Sequence, residues 1–277
     1  MKIRKKKPSK IKKLLKIFLI FFLVCLLYSF IEPYLIEEKK TIIQDSDIPQ
    51  NFSGKKIVFV SDIHHGKFFS EKRVADIVKR VNRQNPDIII LGGDYIYGND
   101  KYIEPCFEEL SKLKAPLGVY AVTGNHDEWE NYELTMKNII KAGIRILDND
   151  AEWIEIDDEK IHLSGIRWNS SNPDANAIVQ NIHESNFSVL VSHDPGLAEE
   201  LNVSNIDLML SGHNHGGQMT LFGLWAFYLP SGYGQKYLTG IVEKGDTKIL
   251  VSNGIGNTFV PMRFFARPQI NIIILEK

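Results

Sequence analysis

The stretch Lys56-Ile57-Val58-Phe59-Val60-Ser61-Asp62-Ile63-His64-His65-Gly66 decides the fold. Four apolar residues without alternation mark a short strand buried on both faces, and the run stops abruptly at polar, titratable residues. The same design recurs outward along the chain. Ile88–Leu91 ends in Gly92-Gly93-Asp94, and Val119–Val122 ends in Gly124-Asn125-His126-Asp127. Val189–Val191 ends in Ser192-His193-Asp194, and Leu208–Leu210 ends in Ser211-Gly212-His213-Asn214-His215-Gly216-Gly217-Gln218. Between the first two runs, Val74, Ile77, Val78 and Val81 recur at helical spacing over Glu71–Asn85, and Pro86 stops that helix. A second helix is predicted near Tyr102–Leu113. Strands alternating with helices predict an α/β domain whose functional groups gather at the carboxyl ends of the strands. Toward the C-terminus, Leu238–Val242 and Lys248–Val251 flank Lys244-Gly245-Asp246, a hairpin signal, and Ile270–Leu275 reads as a last strand. There is no internal repeat and no domain break after residue 55.

The polar residues at these strand ends are Asp62, His64, Asp94, Asn125, His126, His193, His213 and His215. Carboxylates and imidazoles together suit borderline divalent metals: Mn, Fe, Co, Ni or Zn. Asp62-x-His64 and His213-x-His215, read as extended loops, point each pair of side chains the same way. So many donors exceed what one tetrahedral site uses, which implies two ions and a shared carboxylate between them. His162 and His183 read as surface or core histidines, and His65 is compatible with either role.

The ordered set SDIHHG, LGGDYIYG, TGNHDEW, VSHDP and SGHNHGGQ resembles the calcineurin-like metallophosphoesterase superfamily over residues 55–277. GHNHGGQ and the tail SNGIGNTFVPMRFFARPQI resemble its membrane-anchored or exported bacterial branch, some of whose members hydrolyse UDP-2,3-diacylglucosamine. The resemblance implies a sandwich of two β-sheets flanked by helices. It implies Asp62, His64 and His215 on one metal, Asn125, His193 and His213 on the other, and Asp94 bridging. Manganese is the expected metal. It further implies His126 as a non-ligand beside the leaving oxygen. Two close metals acidify a shared water and neutralise phosphate oxygens, so a bridging hydroxide attacking phosphorus is the expected chemistry. In the protein-phosphatase members the second motif reads GD-x-x-DRG, whereas here Tyr97 and Gly98 stand in place of the acid and the arginine. That argues against protein-phosphatase activity. Gln269 departs from the Glu expected after Arg267-Pro268. The rival within hydrolases is a pyrophosphate hydrolase of lipid A synthesis. The rival from another class is a non-catalytic scaffold, which would have lost ligands; none is missing here.

The N-terminal end carries a different signal. Residues 1–16 hold nine basic groups and no acid, leaving 24 basic against 34 acidic residues in the rest. So acidic a body is a poor nucleic-acid binder, and no nucleic-acid partner is expected. Residues 14–31 (LLKIFLIFFLVCLLYSFI) contain one charge, Lys16, in 18 positions. As a helix they span roughly 27 Å, near the thickness of a bilayer. No small-residue cleavage site follows, which predicts an uncleaved signal-anchor. The positive-inside rule puts a head at 1–13 in the cytoplasm and residues 55–277 outside, on a polar tether at 32–54. The expected partners are thus the bilayer, through 14–31, and a phosphoester substrate, lipid-linked or from the cell envelope. Leu221–Leu229 (LFGLWAFYL) suits an acyl-chain wall, a membrane-facing loop or core. With 44% hydrophobic and 24% charged residues the chain is ordinary for a folded protein. Two cysteines, Cys25 and Cys106, exclude a disulfide framework.

Overall fold

A computed structural model describes residues 10–170, 172–180, 182 and 186–277. Residues 1–9 of the basic head, and His183, lie outside the described residues. The chain opens with α1 (Lys10–Ile31), long and apolar enough to cross a membrane. There follow β1 (Glu37–Gln44), β2 (Lys56–Val60), α2 (Glu71–Arg83), β3 (Ile88–Leu91), α3 (Ile103–Leu110), β4 (Val119–Ala121), α4 (Asn125–Lys141) and β5 (Arg145–Ile146). The second half is β6 (Asp150–Ile156), β7 (Glu159–Ile166), α5 (Asn172–Gln180), β8 (Ser188–Ser192), α6 (Leu197–Glu200), β9 (Leu208–Ser211), β10 (Gly240–Lys244), β11 (Thr247–Val251) and β12 (Gln269–Glu276).

The strands form two six-stranded sheets, ordered β1-β12-β2-β3-β4-β5 and β10-β11-β9-β8-β7-β6. β2 to β5 run parallel, as do β7, β8, β9 and β11, while β12 meets β2, β10 meets β11 and β6 meets β7 antiparallel. The continuous apolar runs of the central strands are explained by two buried faces. Ile57, Phe59, Ile88 and Ile90 point into a core shared with Leu163, Val189, Val191, Leu208 and Leu210, so this core fills the gap between the sheets. The alternate residues Val58, Val60, Ile89 and Leu91 pack outward on Val74, Ile77 and Val78 of α2 and Phe107 of α3. Leu190, Met209 and Ile249 of the other sheet pack on Val179 of α5 and Ala198 of α6. The result is an α/β sandwich with helices on both outer faces.

The segment 32–54 is not a free tether. β1 pairs with β12 in parallel register, Glu37 with Gln269 through Gln44 with Glu276. Its exposed, charged face hides the strand from a hydropathy reading, and within β1 only Ile43 is buried. Ile43, Ile48 and Phe52 all enter the core between the sheets. Glu32 is buried, and its carboxylate accepts the backbone N–H of Phe265 (2.7 Å) and Ala266 (2.5 Å). Arg263 N–H donates to Ser29 C=O at 2.9 Å. The last turn of α1 is therefore bolted to the 263–266 loop of the domain.

Candidate metal centre

Five parallel strands from the two sheets deliver the site: β2 (Asp62, His64), β3 (Asp94), β4 (Asn125, His126), β8 (His193) and β9 (His213, His215). The backbone does this differently from the alternation expected for Asp62-x-His64 and His213-x-His215. Asp62 (φ 53°), His64 (φ 49°), Asp94 (φ 57°), His213 (φ 66°) and His215 (φ 51°) are all left-handed. The loops are tightly wound, not extended. Each such non-glycine residue costs about 1–3 kcal/mol, a strain that collects at functional sites. The flanking glycines allow the carboxylates to approach. A Cβ on Gly212 would lie 2.3 Å from Asp62 Oδ2, and one on Gly124 would lie 2.3 Å from Asp94 Oδ1.

The donors converge in three groups. Within each, the ligand atoms lie within 4.8 Å of one another: Asp62, His64 and His215; Asp94, His193 and His213; and His64, Asp94 and His126. Asp94 Oδ2 sits 3.4 Å from His64 Nε2 and 3.2 Å from His193 Nε2, between the first two groups. Asp62 Oδ1 is 3.4 Å from His215 Nε2 and 3.8 Å from His193 Nε2. His64 Nε2 and His215 Nε2 face each other at 3.1 Å. Backbone amides hold both carboxylates: Asp94 Oδ1 accepts His126 N–H at 2.9 Å, and the two oxygens of Asp62 share His213 N–H at 3.1 and 3.3 Å.

These side chains fit divalent cations. His193 Nδ1 donates to Gly92 C=O at 2.7 Å, which fixes the ring and leaves Nε2 buried without a hydrogen-bonded partner. Asn125 Oδ1 is likewise buried and orphaned. A buried ring nitrogen 3.2 Å from a carboxylate oxygen, and a buried amide oxygen with no donor, are costly unless a proton or a cation satisfies them. Titration agrees. Burial, partly offset by Asp94, pushes His64 down to about 3, and burial followed by repulsion from His193 puts His213 at about 3. Such imidazoles are neutral and offer lone pairs. For His193 burial favours the neutral ring, but Asp94 and then Asp62 outweigh it and carry the value up to about 10. Burial raises Asp62 to about 6. The site holds a proton where a cation would neutralise the same acids.

His126 is half-buried, and burial lowers its pKa. Its ring stands among those of His64 (4.9 Å), Tyr97 (4.9 Å) and Trp129 (5.0 Å). Asp127 does not hold His126; its carboxylate accepts the backbone N–H groups of Asp94, Gly124 (both 2.8 Å) and Tyr95 (3.0 Å), and so shapes the Asp94 loop. His65 turns away, with Nδ1 2.9 Å from Tyr102 C=O. His162 packs on Trp153 at 4.8 Å, a scaffold role. Two residues were invisible in the motifs. Trp168 packs its ring 4.7 Å from His213. Arg263, fully buried, donates to Asn253 C=O (2.9 Å) and Ala266 C=O (2.8 Å), with Nη2 3.4 Å from His215 Nδ1. The only signal for Arg263 was the tail VPMRFFARPQI. The centre opens into a cavity of about 310 Å³ lined by Asp94, Asn125, His126, His213 and His215 on one side and by Met219, Phe227 and Tyr228 on the other.

The fold and this cluster define a metal-dependent phosphoester hydrolase with donors for a dinuclear centre. Residues 55–217 match the model of the calcineurin-like phosphoesterase family, and the chain belongs to that family. It is 32% identical to the metallophosphoesterase YkuE of Bacillus subtilis (strain 168) over 255 residues, covering 89% of this chain and 88% of that one. It is 32% identical to a metallophosphoesterase of Aquifex aeolicus (strain VF5), covering 90% and 95%. It is 28% identical to the phosphodiesterase YaeI of Escherichia coli (strain K12), covering 79% and 82%.

Proposed function

We propose that the protein hydrolyses phosphodiesters at the membrane surface, in the membrane-anchored bacterial branch marked by GHNHGGQ. The observation that carries this reading is Asp94 Oδ2 standing between His64 Nε2 and His193 Nε2, in a pocket whose far wall is apolar. In this reading Asp62, His64 and His215 hold one ion, Asn125, His193 and His213 the other, and Asp94 both, with manganese as the working metal. When bound, such a pair supplies an acidified water and positive charge against phosphate oxygens. The chain does the rest. The Gly92 carbonyl and the His213 amide hold His193 and Asp62 in place. His126, as imidazolium, offers the ring nitrogen opposite its buried Nδ1 to the leaving oxygen, donating a proton as the ester bond breaks and returning to the neutral ring. Gly98 leaves no arginine to grip the extra charge of a phosphomonoester, which favours a diester. The name of the Escherichia coli relative supports the same class. The nine basic residues at 1–16 support a reading in which the domain lies outside the cytoplasm.

The test uses full-length protein with Mn²⁺ in lipid nanodiscs. Bis(p-nitrophenyl) phosphate should be cleaved at least about tenfold faster than p-nitrophenyl phosphate at equal concentration. Faster cleavage of the monoester would overturn the diester assignment.

A further inference from the structure

We propose that a groove between α1 and the 219–227 loop receives one acyl chain of a membrane-resident phosphodiester and orients its phosphate toward the metal centre. This rests on the phosphodiesterase reading above and names the substrate class of that site. The groove has a volume of about 300 Å³. One wall is a single face of α1, running from Phe18 through Cys25 and Leu26 to Ser29; the other is Met219 to Phe222 with Phe227. Met219 and Phe227 also line the catalytic cavity, so the two spaces share a wall and adjoin.

The chemistry of the walls selects the occupant. The two hydroxyls in the groove are spent: Ser29 Oγ donates to Leu26 C=O at 2.7 Å, and Thr220 Oγ1 donates to Phe264 C=O at 2.9 Å. No hydroxyl is left to recognise a peptide or a sugar, and Cys25 offers only a weak thiol donor. Because α1 is the membrane span, what lies beside this face is hydrocarbon, and a lipid chain moves into the groove without crossing water. Moving from lipid to an equally apolar groove gains little affinity. What it gains is orientation, since a chain held there brings its headgroup to the cavity in a restricted set of poses. The bolting of α1 to the 263–266 loop keeps that geometry fixed.

The test compares hexadecyl with methyl p-nitrophenyl phosphate on the full-length, Mn²⁺-loaded protein in nanodiscs. Each reaction consumes one water, breaks the aryl P–O bond and releases p-nitrophenol with the alkyl phosphate. Cys25→Trp and Leu26→Trp each fill the groove from the α1 side, and neither residue lines the catalytic cavity. The nanodisc is the same for all proteins, so partitioning of the long ester cancels. Both variants should lose at least about tenfold in kcat/KM on the hexadecyl ester while the methyl ester stays within twofold of wild type. Wild-type rates on the hexadecyl ester in both variants would overturn the groove, as would an equal loss on both esters. If wild type cleaves neither ester, the phosphodiesterase reading itself fails; cleavage of the methyl ester with no effect of filling the groove spares that reading and sinks only this one.

Discussion

At the scale of single residues, the position of Asp94 makes a sharp forecast. Its Oδ2 serves both donor groups, so Asp94→Ala should weaken both ions by more than about 100-fold, and metal analysis after gel filtration should find both depleted. Retention of two tightly held ions would remove Asp94 from the bridge. His126 lies near enough to His64 and Asp94 to be a ligand, so its role needs a separate test. As a proton donor, His126→Asn should keep its metals and lose about 10²–10⁴ in turnover, with a smaller defect as the leaving group becomes more acidic. Metal loss with equal defects on two leaving groups would make it a ligand. Metal affinity should also depend on pH. His193 keeps a proton up to about pH 10 without a cation, and an ion seating on Nε2 must displace it. Apparent Mn²⁺ affinity should therefore climb from pH 7 to 9 by about tenfold per unit per proton displaced, and more steeply below pH 6, where Asp62 is protonated too. Calorimetric titrations at pH 6, 7.5 and 9 would show this, and a flat profile would refute it. The eight candidate residues were legible because each follows an apolar strand. Their left-handed backbone was not, since nothing in D-x-H distinguishes a wound loop from an extended one. Arg263 was hidden because an arginine in an aperiodic tail reads as exposed, whereas here it is packed behind His215 against four backbone carbonyls.

At the scale of elements, the same asymmetry holds. The core strands announce themselves by continuous Val, Ile and Leu, but β1 carries Glu37, Glu38, Lys39 and Lys40. An edge strand needs only one apolar residue facing inward, and charges along its outer side block pairing with other chains. β6 and β7 escaped notice for a related reason: β6 is an edge strand in which only Ile154 is buried, and polar Glu159, Lys160 and His162 interrupt β7. The strand β1 changes where the chain can be cut. A tether at 32–54 predicts that a 50–277 fragment folds and works. The paired strand predicts the reverse. Cutting at 50 removes Ile43 and Ile48, buried to 2% and 0% exposure, and strips β12 of its parallel neighbour. Two buried isoleucines contribute about 3–6 kcal/mol, a large part of a typical domain's net stability. A fragment starting at Glu32 keeps β1 and the carboxylate that caps Phe265 and Ala266. It should melt cooperatively and bind metal, while 50–277 should aggregate or melt at least about 10 °C lower. Equal thermal midpoints would show that β1 is dispensable.

At the scale of the whole molecule, the apolar helix α1 and the metal centre belong to one geometry. Residues 221–229 are not core. Leu224, Phe227 and Tyr228 are 81%, 68% and 71% exposed, and only Ala226 is fully buried. Phe222 packs on Phe21 of α1 with ring centroids 6.5 Å apart. Phe21 precedes the end of α1 at Ile31 by ten residues, about 15 Å along the helix axis. If α1 spans the bilayer, as proposed above, it carries this loop below the headgroups, where exposed aromatic and aliphatic side chains would face lipid instead of water. The loop should then be a second membrane contact, placing the mouth of the catalytic cavity against the bilayer surface. The intrinsic fluorescence of Trp225, isolated by subtracting a Trp225→Ala variant, should be quenched in vesicles of phospholipid brominated on the acyl chains and unaffected by aqueous acrylamide. The Leu224→Asp/Phe227→Asp double variant should lift the loop, abolish the quenching and leave α1 inserted. A Trp225 signal open to acrylamide and untouched by bromine would mean that α1 tilts the loop into water, and the anchor would then be a leash, not a docking frame.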